Sequence, residues 1–258
     1  MKQNSIEELP ISTQMVLNSS SSCDEQPIKH VFLIFCAKTG SKGTGFLLES
    51  GLIITNEHVI RGCLDSEILA ISSTGSNYRI KKSIVDVSQD LAVLVPEDKI
   101  EGGLKINTSA LMVRQEVHTW GFPLFYNGPA PLLSVGYLSG FRSDPQCGKR
   151  LIVNGAFNQG NSGGPLFKAG TDEVIGVVVA KWAPFTNFQT TALEALKNNK
   201  SGVQYEATDN QGNKISFVES QLVADLLYQH RALVQVMIGE AIPVEVLDAF
   251  LKKNFGKS

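Results

Sequence analysis

Ser162 lies in the glycine-rich stretch GNSGGP, whose residue types would suit nucleophilic catalysis. Glycines on both sides of a serine allow a tight turn and let a substrate carbonyl approach without obstruction from Cβ atoms. A serine hydroxyl is a weak nucleophile, so it needs a base within hydrogen-bond reach and a group that orients this base. Gly-Ser runs also form turns and flexible linkers. Apolar segments at 151–153 and 165–167 flank this run, which predicts an ordered loop between buried strands.

Four histidines could supply the base: His30, His58, His118 and His230. His30 precedes an apolar run, His118 lies within one, and His230 falls late in a helical pattern. His58 follows the run Ile-Ile-Thr at 53–55, so we expect it where a buried strand ends. Considered alone, a histidine at a strand end is more often structural than catalytic. Its candidacy therefore depends on the other two groups.

Two aspartates could orient that histidine, Asp86 and Asp90. Either of them could instead close a turn at the end of a strand. Asp90 leads directly into the apolar run LAVL, so its carboxylate would be partly desolvated against an imidazole. We therefore predict Asp90 as the orienting acid.

The order histidine, aspartate, serine differs from that of subtilisins and α/β-hydrolases and matches the chymotrypsin arrangement. The segments TNEHV, QDLAVL and GNSGGPL resemble the three active-site segments of the trypsin-like serine peptidases. With Asn161 before the serine, the sequence most resembles the Deg-type (high-temperature-requirement) branch of this family. The resemblance covers about residues 30–182 and resumes near 238–243. It implies a serine endopeptidase that hydrolyses peptide bonds through an acyl-enzyme intermediate.

The resemblance assigns a role to each of the three groups. His58 would be the general base, Asp90 its orienting acid and Ser162 the nucleophile. The oxyanion hole would be built by the loop residues Gly160, Asn161 and Ser162, with the backbone N–H groups of the first and last as donors.

The specificity pocket implied by the resemblance has Ala156 as its floor. The other implied substrate-binding residues are Phe157, Val178, Val179, Ala180 and Lys181. A floor without charge predicts a preference for small or medium apolar residues before the cleaved bond.

The resemblance also bears on regulation. Digestive members of the family carry an aspartate before the serine, and a newly cut N-terminus neutralises its charge. Asn161 is uncharged and cannot form this ion pair, so we expect loop ordering or a partner to control activity. Neither a cofactor nor a metal is expected.

Two other functions would use the same residues. A protease-fold module could bind a peptide or protein partner with little or no turnover, because a fold does not determine a function. An esterase would use the same three groups but usually shows GxSxG between a strand and a helix. Since GNSGG lies between predicted strands, we rank the esterase last.

The composition predicts a globular, nearly neutral protein. The 258 residues are 43% hydrophobic and 19% charged with a net charge of -2, which excludes wholesale disorder. This charge gives no general attraction for nucleic acid, so nucleic acid is not an expected partner. The resemblance implies a protein or peptide substrate. Four widely spaced cysteines show no zinc-binding pattern, and we expect reduced thiols at Cys23, Cys36, Cys63 and Cys147. The oligomeric state does not follow from the sequence.

The N-terminus and the hydropathy predict an intracellular location. Glu7, Glu8 and Pro10 stand where a secretory signal would need its apolar run. The longest uncharged stretch, 117–141, contains prolines and glycines, so we expect strands and turns there rather than a membrane span. We also expect no PDZ module. The sequence thus predicts a cytoplasmic protein without a membrane span.

Short apolar runs separated by glycine-bearing turns predict antiparallel hairpins in two packed β units, each a barrel or a sandwich. The resemblance implies an all-β fold of two six-stranded antiparallel β-barrels, as in chymotrypsin. The predicted domains are an N-terminal arm at 1–27, a first barrel at 28–110 and a second barrel at 111–258. The arm is polar, and we expect it to be loosely held. The second barrel would include a helical insertion at about 183–233 and a C-terminal helix at 243–253.

Helical patterns appear only in the last part of the chain. Capping boxes predict helices at 191–199 and 216–233, and the second of these has apolar residues at helical spacing. A strand is predicted at 234–238, and Pro243 is expected to begin the last helix.

Overall fold

The computed structural model describes residues 9–124, 126–145, 148–181, 187–208, 212–233 and 238–256. This part of the chain contains fifteen strands and six α-helices, which are numbered in chain order. Both barrels and the last helix form one compact unit, and the insertion forms another. The predicted fold of two six-stranded antiparallel barrels with a helical insertion and a C-terminal helix is confirmed.

Six antiparallel strands close the first barrel. They are β1 (Val31–Cys36), β2 (Lys42–Leu47), β3 (Ile53–Thr55), β4 (Ile68–Ser72), β5 (Asn77–Asp86) and β6 (Leu91–Pro96). Their order is β1-β2-β3-β6-β5-β4, and β4 pairs back with β1. A one-turn helix, α3 (Glu57–Ile60), follows β3.

The apolar runs of the first barrel are buried on both faces. In β6, Ala92 and Leu94 pack in the barrel interior, whereas Leu91 and Val93 pack in a cluster shared with the second barrel. Successive side chains of a strand point to opposite faces, so one run serves both cores. Burial of a Leu or Val side chain contributes about 1.5–3 kcal/mol, so this double burial stabilises the seam between the barrels.

The second barrel closes in the same way. Its strands are β8 (Glu116–Gly121), β9 (Leu132–Asp144), β10 (Gly148–Gly155), β11 (Pro165–Lys168), β12 (Glu173–Lys181) and β15 (Ile238–Pro243). Their order is β8-β9-β10-β15-β12-β11, and β11 pairs back with β8. A short strand, β7 (Lys105–Ile106), lies parallel to β12. Helix α6 (Val244–Phe255) follows Pro243, as predicted, and packs in the shared cluster.

The N-terminal arm differs from the loosely held segment that the sequence predicted. It contains α1 (Ile11–Ser19) and α2 (Glu25–His30). The Thr13 hydroxyl donates to the Ser73 carbonyl of the first barrel at 2.7 Å. The Trp120 indole N–H of the second barrel donates to the Asp24 carboxylate at 3.0 Å. The arm is therefore ordered despite its polar composition, because hydrogen bonds to the two barrels satisfy its buried polar groups.

Cys36 and Cys63 form a disulfide, so the expected reduced state is wrong for this pair. Cys36 ends β1 and Cys63 follows α3, and their Cα atoms are 6.2 Å apart, within the usual range for a disulfide. They are 27 positions apart in the sequence, and closure of the barrel brings them together. Cys23 is a free thiol. Cys147 lies outside the described residues.

The insertion contains the two predicted helices and a hairpin that the sequence analysis missed. The helices are α4 (Asn187–Asn198) and α5 (Glu219–Leu233), and the hairpin strands are β13 (Gln204–Thr208) and β14 (Lys214–Val218). Helix α5 begins later than predicted because residues 216–218 pair with β13. Tyr205 and Phe217 stack across the hairpin with ring centroids 6.0 Å apart. The strand predicted at 234–238 falls almost entirely outside the described residues.

Candidate active site

His58 lies on α3, directly after the buried strand β3, as the sequence predicted. Its Nδ1 is 2.8 Å from Asp90 Oδ2 and 3.0 Å from Asp90 Oδ1. The backbone N–H of His58 donates to the same Oδ1 at 3.0 Å, so one carboxylate orients both the ring and the helix. An ionised carboxylate only accepts hydrogen bonds, which assigns the proton of a neutral imidazole to Nδ1. Nε2 is therefore the ring atom that can take a proton.

Helix α3 is too short to be stable alone, and its neighbours hold it in place. Val59 and Ile60 are buried in the interior of the first barrel. Glu57 forms an ion pair with Arg61. The His58 side chain is 37% exposed, so a substrate can reach it.

Asp90 precedes β6 with a φ of +59°, a left-handed conformation that aspartate and asparagine tolerate better than most residues. The Asn56 side-chain amide donates to the Asp90 carbonyl at 2.9 Å. From β10 of the second barrel, the buried Arg150 guanidinium donates to the Gln89 carbonyl at 3.1 Å. Both barrels therefore hold the turn that presents the carboxylate.

Asp86, the alternative acid, has a different role. Its Oδ1 accepts hydrogen bonds from the Ser88 N–H, the Ser88 hydroxyl and the Gln89 N–H. Burial raises the pKa of the Asp86 carboxyl, but these hydrogen bonds and the charge of Lys253 outweigh it, so the pKa lies below its ordinary value. Among the described residues its hydrogen bonds go only to this turn, so Asp86 closes the turn that leads to Asp90.

Ser162 occupies a tight loop between β10 and β11 whose glycines leave no room for side chains. Gly160 has a φ of +95° and Gly163 a φ of +85°, values that favour glycine. A Cβ on Gly160 would collide with the Phe122 carbonyl, and one on Gly163 would collide with the Thr44 carbonyl. Both the backbone angle and the space therefore require glycine on each side of the serine.

Every carbonyl of the loop from 159 to 162 accepts a hydrogen bond. The pairs are Leu124 N–H to Gln159 O at 2.6 Å, Thr44 Oγ1–H to Gly160 O at 2.6 Å, Gly164 N–H to Asn161 O at 2.9 Å, and Thr44 N–H to Ser162 O at 2.8 Å. In a trans peptide the C=O and N–H bonds point in opposite directions. The fixed carbonyls therefore also fix the directions of the N–H groups in the loop.

Two backbone N–H groups beside the serine hydroxyl are unpaired. Neither the Gly160 N–H nor the Ser162 N–H donates a hydrogen bond to any residue in the described ranges. The Asn161 N–H between them donates to the Asn158 carbonyl at 3.1 Å. Two unpaired N–H donors, one on the serine and one two residues before it, are the kind of groups that stabilise a developing oxyanion in acyl transfer.

The Ser162 hydroxyl donates to the Val179 carbonyl of β12 at 2.6 Å. Val179 falls at a bulge in the pairing of β12 with β15, so the strand ladder leaves its carbonyl available. In the described part of the chain, His58 forms hydrogen bonds only with Asp90, so the imidazole and the serine hydroxyl are not bonded to each other. Rotation about one side-chain torsion moves a serine hydroxyl between staggered positions without backbone movement.

The histidine helix and the serine loop lie on either side of a single glycine. A Cβ on Gly43 of β2 would lie 2.6 Å from the Val59 side chain of α3 and 3.1 Å from the Ser162 carbonyl oxygen. Helix α3, which carries His58 beside Asp90, and the loop that carries Ser162 therefore meet at the seam between the two barrels.

The sequence model of the trypsin-like peptidase domain matches residues 43–177, which is more than half of the chain. The chain belongs to the trypsin-like peptidase family. It is 34% identical over 154 residues to Protease Do-like 1, chloroplastic, of Arabidopsis thaliana, covering 55% of this chain and 34% of that protein. It is 30% identical over 146 residues to Serine protease HTRA4 of Homo sapiens, covering 52% of this chain and 29% of that protein. The chain thus spans about a third of the length of these relatives, and its resemblance to the Deg-type branch is confirmed.

Solved structures share the fold at low sequence identity. The inactive form of Rv3671c from M. tuberculosis H37Rv, a serine-to-alanine mutant, has a TM-score of 0.60 at 14% identity and covers 92% of each chain. The HtrA-type protease AlgW with a tripeptide has a TM-score of 0.59 at 17% identity, covering 91% of this chain and 64% of that one. These likenesses show the two-barrel fold.

The predicted pocket residues of this trypsin-like peptidase differ in burial. Two side chains are fully buried in the core of the second barrel, those of Phe157 and Val178. Two are partly buried, those of Ala156 and Val179. The side chains of Ala180 and Lys181 lie outside the described residues. The role of all six in substrate binding stays a prediction, and Phe157 and Val178 can contribute only through their backbone or through packing.

Two residues that hold the site were not singled out from the sequence, Thr44 and Arg150. Thr44 and Gly160 are 116 positions apart, and Arg150 and Gln89 are 61 positions apart. The available signals were a threonine between two glycines in GTGF and the charged pair Lys149-Arg150 directly before the apolar run LIV. No cluster of three or more His, Cys, Asp or Glu side chains within the described ranges could hold a metal ion.

Proposed function

We propose that the chain is a serine endopeptidase in which Ser162 is the nucleophile, His58 the general base and Asp90 the orienting acid. One observation carries the proposal. The loop of Ser162 has two unpaired backbone N–H groups, and Gly43 alone separates this loop from the helix on which Asp90 orients the His58 imidazole. These are the parts that acyl transfer requires. The family supports a protein or peptide substrate. An uncharged floor at Ala156 favours small or medium apolar residues before the cleaved bond, which cleavage of a peptide library would test.

The acylation step begins when the Ser162 hydroxyl turns from the Val179 carbonyl to His58 Nε2. Nε2 accepts the hydroxyl proton while Oγ attacks the carbonyl carbon of the peptide, and Asp90 keeps the other ring proton on Nδ1. The N–H groups of Gly160 and Ser162 donate to the oxyanion. The imidazolium then returns its proton to the leaving amine, the C–N bond breaks, and an ester remains on Ser162.

A water molecule completes the reaction. His58 Nε2 accepts a proton from this water as its oxygen attacks the ester carbonyl. The proton then passes to Ser162 Oγ, and the new carboxyl end of the peptide leaves. The Asp90 carboxylate stabilises the positively charged ring in both halves of the cycle and does not itself become protonated.

A second candidate function is a peptide-binding module with little or no turnover. One observation favours it, because the Ser162 hydroxyl donates to Val179 rather than to His58. A hydroxyl held in that orientation cannot pass its proton to the imidazole.

A fluorophosphonate probe separates the two functions, because it reacts with a serine that a base activates. We expect the wild-type protein to be labelled and to cleave peptides, and Ser162→Ala to do neither. Ser139→Ala changes an exposed serine of β9 and should leave labelling unchanged. Labelling that persists in Ser162→Ala would contradict the proposal. A wild-type protein that binds peptides but is never labelled would instead support the binding module.

The predicted cytoplasmic location and the predicted absence of nucleic-acid binding stay predictions. In the described ranges, no helix is both long and apolar enough to cross a membrane. The disulfide between Cys36 and Cys63 favours an oxidising compartment over the cytoplasm. The names of the relatives include both chloroplastic and periplasmic proteases.

A further inference from the structure

Thr44 connects the serine loop to the first barrel. It lies in the middle of β2 and is fully buried. Its hydroxyl donates to the Gly160 carbonyl at 2.6 Å and accepts the Phe122 N–H at 3.0 Å. Its backbone N–H donates to the Ser162 carbonyl at 2.8 Å. One residue of the first barrel thus holds the carbonyls of two residues in the serine loop.

The same residue also contacts the strand that leads to the histidine. The Thr44 carbonyl accepts the Thr55 hydroxyl at 2.7 Å. Thr55 ends β3, and the helix that carries His58 follows after Asn56. Buried hydrogen bonds restrict the groups that they join. Thr44 therefore joins the two sequence segments of the site through buried hydrogen bonds.

Only one carbonyl of the serine loop depends on a side chain. The carbonyls at 159, 161 and 162 accept hydrogen bonds from backbone N–H groups, which a substitution on the same strand leaves in place. The Gly160 carbonyl accepts from the Thr44 hydroxyl, which a substitution can remove. Gly160 also has the backbone freedom of glycine, with a φ of +95°. A substitution at Thr44 can therefore remove the hydrogen bond that holds the Gly160 carbonyl, and Gly160 is a residue with wide backbone freedom.

We propose that Thr44 is a positioning residue: its hydroxyl holds the peptide between Gly160 and Asn161, and this peptide joins the two neighbouring peptides whose Gly160 and Ser162 N–H groups would be directed at the oxyanion site. The inference rests on the proposed function, because these directions matter only if Ser162 attacks a carbonyl. Thr44 acts through Gly160 and does not touch the reacting atoms. A misplacement of about 1 Å in a catalytic group can cost on the order of 100-fold in rate. Loss of this single hydrogen bond therefore lowers the rate of the chemical step.

The test compares Thr44→Val, which keeps the shape but removes the hydroxyl, with Thr44→Ser, which keeps the hydroxyl. We expect kcat for a peptide substrate to fall about tenfold to 100-fold in Thr44→Val, with KM changed less than about twofold. Thr44→Ser should stay within about threefold of wild type. Affinity for a peptide boronic acid, which forms an oxyanion-like adduct, should fall with kcat/KM in Thr44→Val.

Thr13→Val is the matched control, because Thr13 is also fully buried and donates its hydroxyl to a backbone carbonyl, but this carbonyl belongs to Ser73 of the first barrel and not to the serine loop. It should lower the melting temperature without changing kcat. If Thr44→Val does not fold, Thr44→Cys takes its place, since a thiol is a much weaker donor than a hydroxyl.

The outcomes separate this inference from the proposed function. A wild-type protein that reacts with fluorophosphonate while Thr44→Val retains wild-type kcat would overturn the inference alone. Equal losses of kcat in Thr44→Val and Thr13→Val would also overturn it, because a general loss of stability would then explain both. An unreactive wild-type protein would overturn the proposed function and the inference together.

Discussion

The position of Asp90 makes two demands on one side chain. Its backbone has a φ of +59°, which costs most residues other than glycine, asparagine and aspartate about 1 kcal/mol or more. Its carboxylate accepts both the backbone N–H and the ring Nδ1–H of His58. Aspartate meets both demands, asparagine meets only the first, and alanine meets neither. This difference allows the geometry and the charge to be tested separately.

Asp90→Asn should abolish most activity while keeping the fold. The amide tolerates the left-handed backbone, but its NH2 group can face Nδ1 and favour the wrong tautomer of His58. We expect kcat/KM to fall about 10³- to 10⁴-fold, the size of loss seen when a triad acid is neutralised, with little change in melting temperature. Asp90→Ala should lose similar activity and also about 1 kcal/mol of stability. Steady-state kinetics and thermal denaturation measure the two effects, and an active Asp90→Asn would remove Asp90 from the mechanism.

Local residue patterns together with the family resemblance singled out His58, Asp90 and Ser162, whose catalytic roles stay a prediction. His58 follows an apolar run and Asp90 directly precedes one, and both patterns are local in the sequence. Thr44 and Arg150 could not be found this way, because their partners are 116 and 61 positions away. Which strand faces which loop depends on how the two barrels pack. Sequence therefore singled out the proposed reacting groups but not the residues that contact them from distant strands.

At the scale of elements, the helix that carries His58 depends on its attachments. Helix α3 has four residues, fewer than an isolated helix needs to be stable. The disulfide joins the segment after this helix to the end of β1. It therefore closes a loop that contains β2, β3 and α3, and it restricts the unfolded chain as well as the native site.

Replacing both Cys36 and Cys63 by serine should lower the free energy of unfolding by about 3–4 kcal/mol, the chain-entropy value for a loop of 27 residues. Reductant should destabilise the wild-type protein to a similar extent and have no such effect on the double variant. Urea denaturation with and without reductant measures both. Cys23→Ser, which changes a free thiol, should retain the wild-type response to reductant. A thiol titration that finds no additional thiols after reduction would disprove the pairing.

The elements that sequence predicted well are those with two buried faces or one strong periodicity. Strand β6 and helix α6 both bury apolar side chains in the shared cluster, and their patterns are unambiguous. The hairpin of β13 and β14 was missed because the residues of β13 are exposed, so burial does not impose a clear alternation. The helices of the N-terminal arm were missed because polar residues around them, including the serines at 19–22, dominate the composition of the arm. Their order comes from contacts with distant strands.

At the scale of the whole molecule, the site depends on a seam between two barrels. Side chains from both barrels and from α6 form the shared cluster, and hydrogen bonds from Thr44 and Arg150 cross the seam. The N-terminal arm adds a third connection, because Thr13 contacts the first barrel and Asp24 contacts Trp120 of the second. An arm that bonds to both barrels should stabilise their relative position, and a double-mutant cycle can measure this effect.

The cycle combines Asp24→Ala with Trp120→Phe, which removes the indole N–H but keeps an aromatic ring. Trp120 is 4% exposed and donates to a carboxylate, so the coupling energy should be about 1–2 kcal/mol in urea denaturation. His118 Nε2 lies 3.7 Å from the same Asp24 oxygen, so a charged ring would also interact with this carboxylate. Burial lowers the pKa of His118. The measurement should therefore be made at pH 8, where the ring is neutral. Asp24→Asn keeps an acceptor and should lose less than Asp24→Ala. Strictly additive single effects would mean that the arm does not stabilise the second barrel through this hydrogen bond.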